Sequence, residues 1–243
     1  MSLALYLRSP LPAGETFVLD GDEGRHAARV KRTGLGESVL IADGVGGLLT
    51  AEVVEVVADG LRLQVSARRQ VPVSDPRLVV VQALPKGERA ELAVEVLTEL
   101  GVDGVVPWAA SRSVAQWHGP RGERALEKWR RTAREAAKQS RRAWIPDVAP
   151  LAGTTDVAAL VARSSTTLVL HEAATEPLSG AGLPEHGEVV VVVGPEGGIA
   201  PEELDAFTAA GARTVRLGEP VLRTSTAGAA ALAALSLRLG RWS

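Results

Sequence analysis

Val189-Val190-Val191-Val192-Val193-Gly194-Pro195-Glu196-Gly197-Gly198 decides how this chain is read. Five consecutive valines predict a strand buried on both faces, the situation of a strand inside a parallel sheet. The strand runs into a loop of glycines and one proline. Pro201, Glu202 and Glu203 then suit the first turn of a helix, with proline at its opening and acids at the positive end of the dipole. A second short strand, Thr214 to Leu217, leads into a second tight loop and a helix of alanine, glycine and leucine. Two such loops at the carboxyl ends of parallel strands are where an α/β sheet binds a small molecule.

Outward from that stretch the pattern changes once. From Leu78 to Ala83 onward, strands and helices alternate, as in a parallel sheet covered by helices: a helix from Glu88 to Leu100, a strand beginning at Gly104, a long helix from Glu123 to Gln139 and a strand at Leu168-Val169-Leu170. Residues 1–71 read as all-β instead, with strands at Ser38–Ala42, Leu48–Val57 and Leu61–Ala67 joined by a glycine-rich connection and an Asp59-Gly60 turn. Val71-Pro72-Val73-Ser74-Asp75-Pro76 is a linker, because two prolines block regular pairing. The expected domains are a small β-barrel at 1–71 and an α/β domain at 76–243.

Composition narrows the chemistry. The chain has 243 residues, no cysteine and a net charge of −2, which excludes disulfides, thiolate metal sites and cysteine nucleophiles, and fits a reducing cytoplasm. The N-terminus lacks the pattern of a signal peptide, and no apolar run reaches the ~20 residues of a membrane span. His26, His118, His171 and His186 are scattered without ligand spacing, so no metal is expected. Charge is unevenly placed: Arg112 to Arg142 holds ten basic and three acidic residues. Leu126, Trp129 and Ala133 lie at inward helical spacing, while Arg124, Lys128, Arg131, Lys138 and Arg142 lie elsewhere on the helix. They form either a solvated face or a strip for a polyanion.

The Gly194–Gly198 loop is neither a dinucleotide fingerprint, since Glu196 stands where a glycine would be needed, nor a Walker loop. Its carboxylates Glu196, Glu202 and Glu203 favour a cationic or zwitterionic ligand over a phosphate. No G-x-S-x-G elbow is present. The bulk-free helix after Thr226 suits a close approach to another segment or another subunit.

The residues taken together resemble the RsmE-type 16S ribosomal RNA uracil-N3 methyltransferases of the SPOUT class. The resemblance rests on Gly194-Pro195-Glu196-Gly197-Gly198 and on Leu217-Gly218 through Val221-Leu222-Arg223-Thr224. Supporting blocks are Ala83-Leu84-Pro85-Lys86-Gly87-Glu88-Arg89, Thr98 to Val102, Arg112-Ser113-Val114, and Glu135 to Ser140 with Ile145-Pro146. It implies a PUA-like barrel that helps hold RNA and a parallel-sheet methyltransferase domain with a C-terminal trefoil knot. It further implies S-adenosylmethionine as cofactor, a homodimer, and the small ribosomal subunit as substrate.

Under that resemblance the cofactor residues are Leu170, Gly194, Pro195, Glu196, Gly197, Gly198, Leu217, Gly218, Val221, Leu222, Arg223 and Thr224. Arg223 is the expected catalytic cation, with Arg8 or Arg112 as alternatives. RNA contacts are expected from Arg8, Arg29, Lys31, Arg32, Arg112, Arg124, Lys128, Arg131, Lys138 and Arg142. The chain departs from the family at Ser225, where a glutamate is frequent, and at Val96, where many members have lysine. Two other readings stay open: a SPOUT ribose 2′-O-methyltransferase, and a non-catalytic RNA-binding assembly factor.

Overall fold

The computed structural model describes residues 3–87 and 89–242; Glu88, the expected start of a helix, lies outside them, as do Met1, Ser2 and Ser243. The chain divides into two compact units, and the second excludes one stretch, Ala137–Ile145, which is part of the first.

The first unit is built on five strands: β1 (Ala4–Leu7), β2 (Thr16–Leu19), β3 (Ser38–Ala42), β4 (Gly47–Val57) and β5 (Gly60–Gln70). A short helix, α1 (Gly21–Arg25), and a π-type turn at His26–Val30 follow β2. The sheet order is β1-β3-β4-β5-β2, parallel only between β1 and β3. Composition alone missed β1 and β2, each four residues long and too short to show alternation. Their inward side chains, Tyr6, Phe17 and Leu19, join Ile41, Leu49, Leu61 and Leu63 in one core. No ladder joins β1 to β2, which stand at the two ends of the order. Arg8 spans that seam instead: it donates to the Val18 carbonyl, lies 3.8 Å from Asp20 and stacks 5.3 Å over the Phe17 ring.

The β4–β5 connection is the two residues between the Val57–Gly60 pair, one position earlier than the expected Asp59-Gly60 turn. Gly60 serves packing here, since a Cβ on it would stand 2.0 Å from the Leu19 carbonyl oxygen. The β3–β4 connection is organised by Asp43, whose carboxylate accepts from the amides of Val45 (2.8 Å) and Gly47 (2.9 Å). Across this connection runs the returning segment: Gly46 N–H donates to Ala143 O (3.0 Å), Ile145 N–H to Gly44 O (3.0 Å), and Trp144 Nε1–H to Val71 O (3.0 Å). Gly46, at φ +98°, leaves the room: a Cβ there would be 2.7 Å from the Trp144 ring.

The second unit is a six-stranded parallel sheet: β6 (Arg77–Ala83), β7 (Gly104–Trp108), β8 (Asp147–Val148), β9 (Thr166–Leu170), β10 (Glu188–Val193) and β11 (Arg213–Val215), in the order β11-β9-β10-β6-β7-β8. Its helices are α2 (Arg89–Glu99), α3 (Gly119–Gln139), α4 (Thr154–Arg163), α5 (Pro201–Ala209) and α6 (Thr224–Arg238). The valine run is β10, and it serves two cores by strand alternation. Val189, Val191 and Val193 face Leu97, Trp129, Leu232 and Leu235; Val190 and Val192 face Leu160, Ile199 and Phe207. At about 1.5–3 kcal/mol per fully buried aliphatic side chain, this strand anchors all three layers. Among the described residues no helix is long and apolar enough to cross a membrane.

The small residues of α6 face inward, against the sheet. Ala227, Gly228 and Ala231 are buried, and a Cβ on Gly228 would lie 3.2 Å from Val193 Cγ2 and 3.3 Å from Leu97 Cδ2. Close approach to the sheet thus explains the composition of this helix. Gly228→Val should destabilise the chain by about 1–3 kcal/mol through overpacking. Urea unfolding that gives the variant an unchanged midpoint would show that α6 does not press on the sheet in this way.

Candidate functional site

The carboxyl ends of β9, β10 and β11 open into one cleft of about 410 Å³ in the second unit. Three loop segments build it. Leu170 ends β9, and His171 and Glu172 follow it; Val193 ends β10, and Gly194 to Glu196, Gly198 and Ile199 follow it; Arg216 to Arg223 lie between β11 and α6, with Thr224 and Ala227 from the helix itself. Arg89, the first residue of α2, completes the wall. The lining combines aliphatic surface with both signs of charge: Glu172, Glu196 and Glu219 against Arg89, Arg216 and Arg223. A volume of this size matches a drug-sized ligand.

The sequence explains why the loops hold their shape. Gly194 lies where a Cβ would be 2.7 Å from Ile199 Cγ1, and Gly198 takes φ +75°, a conformation open to glycine. Glu196 Oε1 accepts from the Lys86 amide (3.2 Å), tying the loop after β6 to the loop after β10. Gln82, buried on β6, donates through Nε2 to Thr224 O (3.2 Å), fixing the start of α6. Arg223 is the N-cap of that helix and offers no side-chain cap; its carbonyl accepts from Thr226 and Ala227, both at 2.9 Å. A cation at the positive end of a helix dipole costs about 0.3–1 kcal/mol. Arg223, one of the residues lining the cleft, is therefore placed there against local preference.

Comparison with known proteins agrees with this architecture. Residues 73–236 match a family described as RNA methyltransferase domain, and residues 19–66 match RNA methyltransferase PUA domain. The chain is 47% identical, over its whole length and 94% of the relative, to ribosomal RNA small subunit methyltransferase E of Mycobacterium bovis. This chain belongs to the ribosomal RNA small subunit methyltransferase E family. The Bacillus subtilis methyltransferase E is 28% identical over 91% of this chain and 90% of its own length. The solved methyltransferase E of Neisseria gonorrhoeae, bound to S-adenosyl methionine, superposes with a TM-score of 0.84 over 98% of each chain at 24% identity, which carries the fold.

The chain gathers in one cleft eleven of the twelve residues expected at the cofactor: Leu170, Gly194, Pro195, Glu196, Gly198, Leu217, Gly218, Val221, Leu222, Arg223 and Thr224. Gly197 is the exception. It faces Arg112, with a Cβ position 3.2 Å from the Arg112 carbonyl oxygen, while Arg112 Nη1 reaches back to Gly197 O at 3.4 Å. Glu203 is also not at the loop surface as expected. It is buried, accepting from Ser111 N (2.8 Å), Thr154 Oγ1 (3.1 Å) and Ala200 N (3.1 Å), so it holds the start of α5. The buried Ser225 does not line the cleft either.

Sequence reasoning missed Arg89, His171, Glu172, Arg216 and Glu219 as lining residues. Arg89 closes one of the quoted blocks and His171 follows the quoted strand Leu168-Val169-Leu170, so a search at strand ends would have found His171.

The basic positions separate. Arg124 and Arg131 are exposed on α3, and Lys128 is exposed while pairing with Glu91 at 2.8 Å. Lys138 is a correction: with 11% of its side chain exposed and Glu23 at 2.8 Å, it is an internal ion pair of the first unit. Arg8 keeps 34% of its side chain exposed, with its guanidinium engaged at the β1–β2 seam. Arg142 is half-buried; Arg29 pairs with Asp59 (3.2 Å), whereas Lys31 and Arg32 stand exposed beside it.

Gly197→Val should strain the contact with the Arg112 backbone and cost about 1–3 kcal/mol of stability. Thermal unfolding checks it; a variant as stable as the parent would mean that the two loops move apart freely.

Proposed function

We propose that this chain transfers a methyl group from S-adenosylmethionine to N3 of a uridine in 16S rRNA of the small ribosomal subunit. The observation that carries the reading is the cleft: loops from three neighbouring parallel strands converge on one volume with aliphatic walls and charges of both signs. Such a lining fits this cofactor. Leu170, Val193, Ile199 and Leu222 offer apolar surface for a base, Glu172, Glu196 and Glu219 complement a sulfonium and an ammonium, and Arg89 or Arg216 suits a carboxylate.

S-adenosylmethionine supplies a methyl group activated on a positive sulfur. The protein has to orient the uracil, exclude water and help N3 lose its proton, because the lone pair is otherwise tied up in the imide. Arg223, always charged and carrying a planar fork of donors, is the residue that meets the negative charge spreading over O2, N3 and O4. Arg112, which holds the Gly197 carbonyl and does not line the cleft, is the second candidate cation for this task. Arg8 would reach this task only from a second copy of the chain and only by leaving its contact with Val18 O.

On the second unit, Arg112, Arg124, Lys128 and Arg131 are read as RNA-facing, and on the first unit Lys31 and Arg32. Two copies would associate through apolar residues left exposed on the second unit, among them Leu92, Val221, Leu222 and Leu237. We read the loops after β10 and β11 as those of the trefoil knot, and place the enzyme in the cytoplasm with its ribosomal substrate.

Arg223→Ala should leave cofactor affinity within about tenfold (~1.4 kcal/mol). Single-turnover methyl transfer should fall about 10²–10³-fold, the usual cost of one lost electrostatic stabiliser. A near-normal transfer rate would exclude the role of Arg223.

Reversing the charge of Arg124, Lys128 and Arg131 together should weaken binding to the small subunit. It should also flatten the salt dependence of binding by about one counterion-release unit for each phosphate no longer neutralised. The same change at Lys138 should instead lower stability, by leaving Glu23 buried without its partner. An unchanged salt slope in the triple variant would make that face of α3 merely solvated.

A further inference from the structure

His171 stands at the cleft with one ring nitrogen already committed. It follows Leu170 at the end of β9, and its amide donates to Val215 O (3.0 Å), extending the pairing with β11 one step past the strand. The backbone under the ring is therefore fixed by the sheet. Within the loop, Ala173 N–H donates to His171 Nδ1 at 3.2 Å. A backbone amide can only give a proton, so Nδ1 holds its lone pair and the neutral ring carries its hydrogen on Nε2. Among the described residues nothing in the chain accepts from Nε2. His171 lines the same cleft as Arg216, Leu217 and Gly218.

We propose that His171 is a cofactor-binding donor, presenting Nε2–H to an acceptor atom of S-adenosylmethionine, and that it is not the base that takes the uridine N3 proton. A base at Nε2 would need a lone pair there, which moves the hydrogen to Nδ1 and sets it against the Ala173 amide. The bond that shapes the loop thereby selects the role of the ring. This inference rests on reading the cleft as the S-adenosylmethionine site.

The test uses the full chain and two variants. Asparagine at this position can still accept from the amide two residues on, as Asx turns do, but reaches less far into the cleft. His171→Asn thus keeps the loop and loses the donor, while His171→Ala loses both. Calorimetry with S-adenosylmethionine should show affinity lowered about five- to tenfold in His171→Asn, the span of one neutral hydrogen bond. The fall should be equal or larger in His171→Ala. Single-turnover transfer at saturating cofactor should fall by less than about tenfold, well short of the loss that a missing proton acceptor would give.

Parental affinity in His171→Asn would overturn the donor assignment. A loss of about a hundredfold in the transfer step, with affinity retained, would make His171 the base and overturn it equally. Failure of the unaltered chain to bind S-adenosylmethionine would be a different result: it would remove the reading of the cleft itself.

Discussion

Burial of β10 on both faces is the constraint on which the second unit depends. Its valines alternate between two cores, so the strand has no solvent-facing side and must be covered by helices above and below. With β9 on one side and β6 on the other, β10 lies inside the sheet, and the loop that leaves it opens between loops from neighbouring strands. The chain winds outward from β6 to β7 and β8 in one direction, and the later strands fill the other side. A crevice at the carboxyl ends follows from that reversal.

Charge placement in the crevice runs against local preference, which separates function from folding. Arg223 sits at the positive end of α6 with no acid to cap the helix. Glu196 is held by the Lys86 amide on another loop. By contrast, Glu203 does what a carboxylate at the start of a helix ordinarily does: its Oε2 takes up the Ala200 amide and its Oε1 the amide of Ser111. Two glutamates seven residues apart in sequence therefore have unrelated tasks.

The first unit is completed by residues far away in sequence. Ala137–Ile145 lies across the β3–β4 connection, and Gly44 and Gly46 are the clearance it needs. Lys138 belongs to this arrangement. Its charge, counted along the sequence, looks like part of the basic strip, yet it is neutralised by Glu23, more than a hundred residues earlier.

The sequence by itself determined the parallel α/β class, the strand-loop-helix order around Gly194–Gly198 and Leu217–Thr224, and eleven of the twenty residues of the cleft wall. These are local properties: a run of valines, a glycine that frees φ, a proline at a helix start. Only the tertiary structure decided which side chains those loops spend on each other. Gly197 proved to be clearance for Arg112, Lys138 the partner of Glu23, and Arg8 the bridge across a seam between strands too short to be read. His171 entered the cleft because β9 and β11 pair in register beside β10. A hydrogen bond or ion pair between distant residues leaves no periodicity in the chain, since it depends on where two separate elements stop, and packing alone sets that.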